Sequence, residues 1–394
     1  SMDVDTKLNA TDRENYYEDF LLDSLTEYLT DERVNSFGGT ITYSEPVGLT
    51  SQLSASYELN YSDRSSIKDT YMFVPESDEK TFDIDLSNHY QSGQLMHRPS
   101  INLMNRKFGQ FYNLGLSFQH ISLDNTQTVP TESNSNAVFT SFLPNAMGRF
   151  ELGAGGVNLF LRYSTNTNIP SVTQLQNVVD NSNPLFWSVG NEDLKQSYTH
   201  SLMVRIGKAN TGKSRSISNF TRAQVTNDYV TNATLFIRAD SALAPGLVIE
   251  RGAQLSKPIN LDGYWNISNS TTYTVPLSFI KTKFNTTVGL SYIKSPGISD
   301  DIINYSNTYG INGRLTLASN FSEKVDFNAY YNGGFNDVYN TVQTSSNSSY
   351  FSQKIGGNVN LILIKTSNSH CDLINIFIMF NDVIWWVRCT FVVS

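Results

Sequence analysis

From about residue 36 to residue 363, apolar side chains recur at every second position. Leu53, Ala55, Tyr57, Leu59 and Tyr61 alternate with Ser54, Ser56, Glu58, Asn60 and Ser62. Tyr112, Leu114, Leu116 and Phe118 oppose Asn113, Gly115, Ser117 and Gln119, and Phe284, Val288, Leu290 and Tyr292 oppose Asn285, Thr287, Gly289 and Ser291. Trp265, Ile267, Thr271 and Tyr273 share a face, as do Val325, Phe327, Ala329 and Tyr331. A period of two predicts β-strands, because successive strand side chains point to opposite faces. Residues 1–33 are polar and acidic; there Leu21, Leu22, Leu25, Tyr28 and Leu29 could share a helical face, predicting a short surface helix or an ordered loop.

The connections are of two kinds. NFSEK at 320–324 and ANTGK at 209–213 are short, whereas 63–81, 124–137 and 340–349 are long and polar. The longest interruption lies between Val157–Ser164 and the next alternating run at Leu202, Val204 and Ile206; it holds Pro170, Pro184 and many asparagines. Short turns at one end and long loops at the other, on strands of about ten residues, describe a transmembrane β-barrel. A soluble sandwich or propeller also alternates, but strands in globular proteins are shorter, with a mode of about five to six residues.

Composition sharpens that choice. Charged residues are 16% of the 394, against about 25% in soluble proteins. Aromatics reach 12% while apolar residues stay at 39%. One surface therefore lacks charge without an enlarged core, as expected of a wall with lipid on one face and a wet lumen on the other. The net charge of -8 argues against nucleic acid as a partner. No apolar span long enough for a helix to cross a membrane precedes residue 370.

Candidate chemistry is sparse. The five histidines (His89, His97, His120, His200 and His370) are isolated, and no HExxH, GxSxG or GxGxxG pattern occurs. No catalytic, cofactor-binding or metal-ligating set is expected. Asn219 and Asn266 match N-x-S/T through composition alone. Tyr264, Trp265 and Tyr273 suit an interfacial girdle better than a sugar platform. Arg162, Arg205, Arg222, Arg238 and Arg314 fall mostly on the polar phase of their strands. The plainer expectation is hydrated lumen charge paired with Asp or Glu; the sharper one is a guide for an anionic ligand or a contact to a plug.

Three segments follow: a polar amino-terminal segment or extracellular loop at 1–33, barrel strands and loops at 34–364, and an atypical apolar tail at 365–394. The tail holds Cys371 and Cys389, keeps no period of two, and reads as a shifted frame or damaged end, with a buried strand pair as the alternative. The chain opens SMDVDTKLNATDREN without a secretory signal, so Ser1 reads as a cloning remnant or the edge of an excised fragment, with the natural start upstream.

The stretches FLPNAMGRFEL at 142–152 and LRYSTNTNIPSVTQLQNVVDNSNPLFWSVGNEDLKQSYTHSL at 161–202 resemble the outer-membrane β-barrel family of Bacteroidetes, related to TonB-dependent receptors; 85–119 looks similar. The family motif maps to Tyr163, Pro170, Ser171, Gln174, Leu175, Gln176, Asn183, Pro184, Leu185, Gly190, Asn191, Leu194 and Lys195, with Glu192 where the motif usually has Pro. The resemblance implies an all-β, antiparallel transmembrane β-barrel, of which about 14 to 16 strand-like runs would be an incomplete portion of a barrel of about 22 strands.

It also implies residence in the outer membrane of a Gram-negative cell and uptake of an unknown nutrient. Outer-membrane lipid, a plug domain and a TonB-type energy transducer would be the partners, with no cofactor and no nucleic acid. The rival is a non-transporting structural or adhesive β-rich surface protein; an outer-membrane barrel hydrolase ranks third. The motif is expected to serve shared architecture, leaving ligand choice to 63–81, 124–137 and 340–349.

Overall fold

A computed structural model describes residues 2–392, except 16–24, 74–79, 85–86, 154–155, 176–178, 181–182, 245–246, 323–324, 343, 363–370 and 381–385. Among the described residues, sixteen strands form the wall. In chain order they are β1 (Met2–Asn15), β2 (Leu25–Val47), β3 (Ser51–Phe73), β4 (Asn88–Lys107), β5 (Gln110–Val129), β6 (Ser133–Leu152), β7 (Val157–Asn168) and β8 (Ser197–Asn210). They continue as β9 (Arg215–Asn227), β10 (Tyr264–Leu277), β11 (Thr282–Ser299), β12 (Ile302–Ser322), β13 (Val325–Asn340), β14 (Ser348–Ile362), β15 (Cys371–Phe380) and β16 (Trp386–Val392).

Each wall strand pairs antiparallel with its sequence neighbour in this series, from β1 against β2 to β15 against β16. Among the described residues β1 and β16 do not pair with each other, so the sheet is open there. Its architecture is that of an antiparallel outer-membrane β-barrel wall. Ladder bonds satisfy the backbone groups along the spanning length, where lipid offers no partners.

Two faces are distinct. Exposed apolar side chains line the outer one, such as Leu103 (39% exposed), Leu114 (50%), Leu202 (45%), Val288 (51%) and Ile311 (50%). They stand opposite one another in register, as Leu103 opposite Leu114 and Leu290 opposite Ile311. The inner face carries Asn102, Ser100, Ser117, Asn145 and Asn312. At one end the turns are tight. Phe108 and Gly109, both at positive φ, join β4 to β5 as a two-residue hairpin turn of type I′ character. At the other end, residues 169–196 and 228–263 emerge between wall strands, so this is the loop end.

Three expectations change. Met2–Asn15 and Leu25–Val47 are paired strands, not a surface helix or loop at 1–33; the upper half of β3 gives their backbone a ladder to extend. Leu21 and Leu22 lie outside the described residues. Residues 63–73, 124–129 and 133–137 are strand, so two of the expected long loops are upper wall. At the loop end β11 turns into β12 through only Asp300 and Asp301, both at positive φ. Cys371–Phe380 and Trp386–Val392 stand as strands beside β14.

Candidate functional site

The loop end carries the most organised side-chain structure, and it starts from a change of phase. Along β5 the apolar residues Tyr112, Leu114, Leu116 and Phe118 point outward, but Ile121 and Leu123 point inward and are 4% and 3% exposed. The same reversal crosses the neighbours in register. On β4, Ile101 is opposite Leu116 while Met96 is opposite Ile121. On β6, Pro144 is opposite Leu116 while Phe139 is opposite Ile121. Lipid requires apolar groups outside; above it, the outer face is wet and the inner face becomes the place to bury them.

What covers Ile121, Leu123, Met96 and Phe139 is the long interruption after β7. Leu175 and Leu194 (3% and 4% exposed) join them in one core, with Ile169 against its edge. The local sequence builds this clasp. Ser171 caps the short helix α1 (Val172–Leu175): the Gln174 N–H donates to Ser171 Oγ at 3.3 Å, and the Ser171 N–H donates to Gln174 Oε1 at 2.9 Å. That reciprocal pair is a capping box. Pro170 and Leu175, at the positions of a hydrophobic staple, are both buried.

Asn191 then closes the clasp. Its N–H donates to the Gln174 carbonyl at 2.6 Å, its Nδ2 donates to the Pro258 carbonyl at 2.9 Å, and its Oδ1 accepts from the Asp193 N–H at 3.1 Å. Asn260 holds both sides of Lys195, accepting from its N–H at 2.8 Å and donating to its carbonyl at 3.0 Å. Strand Phe186–Val189 runs parallel to Gln254–Leu261 of the second insertion. There Trp187 (7% exposed) forms a second core with Ile237, Ile249 and Ala253, its Nε1 donating to the Pro184 carbonyl at 3.1 Å.

A polar layer lies beneath the upper core. Arg98 meets Glu58 at 3.3 Å and donates through Nε to Gln119 Oε1 at 3.1 Å. Gln119, 3% exposed, donates to Thr167 Oγ1 at 2.9 Å. The network spans β3, β4, β5 and β7, so the Arg98 charge beneath the apolar cluster is paired.

The wall is interrupted beside the clasp. β6 continues to Ser133 against β5 but pairs with β7 only as far as Asn145 opposite Ser164. Beyond that point three β6 carbonyls accept from side chains: Pro144 from Thr165 Oγ1 at 3.0 Å, Phe142 from the Tyr198 hydroxyl at 2.6 Å, and Thr140 from Gln196 Nε2 at 2.8 Å. A cavity of about 720 Å³ opens there, lined by Phe118, Val138, Phe142, Leu194, Tyr198 and Asp228 among others.

The motif positions thus take three places. Pro170, Leu175, Gly190 and Leu194 are buried, and Ser171, Gln174, Asn183 and Asn191 make the bonds that shape the segment. Asn183 accepts from the Leu185 N–H at 3.0 Å. The Pro184 and Leu185 carbonyls accept from Trp187 and from the Gln254 N–H, leaving the Leu185 side chain 58% exposed and Lys195 exposed as well. Tyr163 lies apart, on the outer face, its hydroxyl 2.8 Å from His200 Nδ1. Gln176 lies outside the described residues. Sequence reasoning missed Gln119, Trp187 and Asn260, whose roles exist only through partners far along the chain.

The arginines do not all follow the plainer expectation of pairing. Arg238 pairs with Asp300 at 2.8 Å, and the Asp300 carboxyl is held below the usual carboxylate range, first by the Phe236 N–H and then by Arg238. Arg162, Arg205, Arg222 and Arg314 are inward-facing, exposed and without an ion pair to an acid among the described residues. His89, His97, His120 and His200 sit outward: His97 Nδ1 lies 2.6 Å from the Tyr57 hydroxyl, and His89 Nε2 is 2.6 Å from Asp69 Oδ1; His370 lies outside the described residues. Among the described residues no three His, Cys, Asp or Glu side chains converge as metal ligands.

Comparison with known proteins bears on this arrangement. The sequence pattern of the outer membrane protein beta-barrel family matches residues 1–363. The structure is similar to the unliganded ferric citrate transporter FecA, with a TM-score of 0.57 at 10% identity over 95% of this chain and 52% of that one. It is also similar to the Serratia marcescens hemophore receptor HasR, crystallised as a double mutant with its hemophore HasA and heme. That TM-score is 0.56 at 12% identity over 95% of this chain and 62% of that one. The chain thus spans between about half and two thirds of these receptors, and the likeness is one of fold. No curated relative matches the sequence.

Proposed function

This chain belongs to the outer membrane protein beta-barrel family, and from that premise we propose that it is barrel wall of a TonB-dependent receptor-like protein taking up a nutrient. Membership places it in the outer membrane. The observation that carries the transport reading is the clasp at 169–196. It folds onto the inner face of the upper wall, sealing Leu175 and Leu194 against Ile121, Leu123 and Phe139. A merely adhesive barrel has no need to stiffen its mouth from within; a receptor needs a fixed mouth around a lumen through which cargo passes.

In this reading the loop end is extracellular, since outer-membrane barrels carry their longer connections there. The connections at that end meet the nutrient. A plug domain and a TonB-type energy transducer are the partners that complete the cycle, and the source is a Bacteroidetes bacterium, whose family members share the motif spacing. The wall orients and confines; it performs no covalent chemistry.

The test is growth of the native host on single nutrient sources after deletion of this gene or of the energy transducer. The proposal expects both deletions to lose growth on the same nutrient. Unchanged growth on every source, with loss of surface attachment, would establish the adhesive reading instead.

A further inference from the structure

Register reveals an order on the inner wall that no single strand contains. One line of directly opposed residues crosses six neighbouring strands, β4 to β9, as Arg106, Phe111, Arg149, Phe160, Arg205 and Phe220. The next line toward the loop end reads Met147, Arg162, Met203 and Arg222 across β6 to β9. Arginine and apolar side chains therefore alternate in both directions. All five arginines are exposed, while the phenylalanines and methionines between them are half-buried. Arg106 already lies over the Phe111 ring, 5.8 Å from its centroid.

These arginines lack what others in the wall have. Arg64 pairs with Glu32 at 2.9 Å and Arg98 with Glu58. Among the described residues none of Arg106, Arg149, Arg162, Arg205 or Arg222 forms an ion pair with an acid, although the chain holds 36 acidic against 28 basic residues. Glu151, which follows Arg149 on the same face, makes no ion pair with it within 4.0 Å.

Strands stand about 4.8 Å apart, so arginines in one line are about 10 Å apart, near the screening length of physiological salt. The spacing keeps their mutual repulsion small, and each guanidinium is free to hold a carboxylate or phosphate with two parallel hydrogen bonds. The intervening rings offer flat apolar contact to the rest of such a molecule.

We infer that this stripe is a binding track for a small anion bearing an aromatic or other apolar part, and that it leads down the lumen wall to the turn end at Arg106. The inference rests on the uptake reading for its direction of travel, but the site itself does not.

The test uses the full chain extracted from outer membranes in mild detergent, titrated calorimetrically with benzene-1,3,5-tricarboxylate and with its neutral analogue benzene-1,3,5-trimethanol. The tricarboxylate should bind at least tenfold more tightly than the neutral analogue, and raising salt from 50 to 500 mM should weaken it at least tenfold. Arg149→Gln with Arg205→Gln should weaken it at least tenfold, and Phe160→Ala severalfold. Arg64→Gln, at a paired arginine, should leave it within twofold. Heat-modifiable gel migration confirms that each variant is folded.

Equal binding of both probes, full affinity in a folded double variant, or an equal loss in Arg64→Gln would overturn the track. No binding by folded wild-type protein would also overturn it and assign the arginines to a protein partner such as a plug. Arginine-dependent binding without any nutrient growth defect would sink the uptake reading and keep the track; a growth defect without binding would do the reverse.

Discussion

The lower and upper halves of β4, β5 and β6 keep one register with one another, yet they bury opposite faces. In the lower half Ile101, Leu103, Leu114, Leu116 and Pro144 look outward; in the upper half Met96, Ile121, Leu123 and Phe139 look inward. The ladder that joins these three strands to one another keeps its register between the halves; only the pairing of β6 with β7 stops, above Asn145. The solvent changes, from lipid to water outside, and the clasp arrives inside. A period of two alone therefore says that a segment is strand; the parity of its apolar residues says which medium lies on each side. The polar layer of Glu58, Arg98, Gln119 and Thr167 marks the level at which the parity turns over.

That contrast can be broken from either side. Removing residues 168–193 takes Ile169 and Leu175 off the upper core and detaches Leu194 from its clasp, and heat-modifiable migration should then show no assembled barrel; normal assembly would separate the clasp from the fold. Leu123→Ala should cost about 2–5 kcal/mol, the usual toll of a buried cavity. Leu116→Ala should cost clearly less, because lipid chains are as apolar as the lost side chain and fill its place. Denaturant unfolding in lipid vesicles compares the two, and equal costs would erase the distinction between the halves.

A charge gives the complementary result. Leu116→Arg should destabilise by about 2–4 kcal/mol in the same assay, as for a cation on the lipid face near the midplane. Asp124, exposed above the layer, should tolerate Asp124→Arg with little change. Ser171→Ala removes one half of the capping box and should cost about 1 kcal/mol, with α1 amides exchanging faster.

Much of this was legible in the sequence, and the losses have specific causes. The spanning runs were plain because lipid selects apolar residues at every second position. The tops of β3, β5 and β6 read as loops because their outward residues, such as Asp124 and Thr126, are polar while their inward ones include Asn125 and Gln127 beside Ile121 and Leu123. The alternation thins and shifts phase together, which imitates the end of a strand. The clasp was visible as a Pro- and Asn-rich interruption with a familiar spacing, and Ser171 and Gln174 stand at capping-box separation. Its fit to Met96 and Phe139 was not visible, since those contacts span many strands. The arginine stripe was hidden for the same reason: neighbours in it lie up to 45 positions apart (Phe160 and Arg205; Phe111 and Arg149 are 38 apart), and only register aligns them.

The most direct measurement places single nitroxide labels along β5 at 114, 116, 121, 122, 123 and 124 in vesicles. Collision with dissolved oxygen and with a water-soluble nickel chelate then reads the environment of each. The account predicts high oxygen and low nickel access at 114 and 116, high nickel access at 122 and 124, and low access to both at 121 and 123. An alternation that keeps one parity through position 124, with oxygen access persisting at 122 and 124, would contradict it.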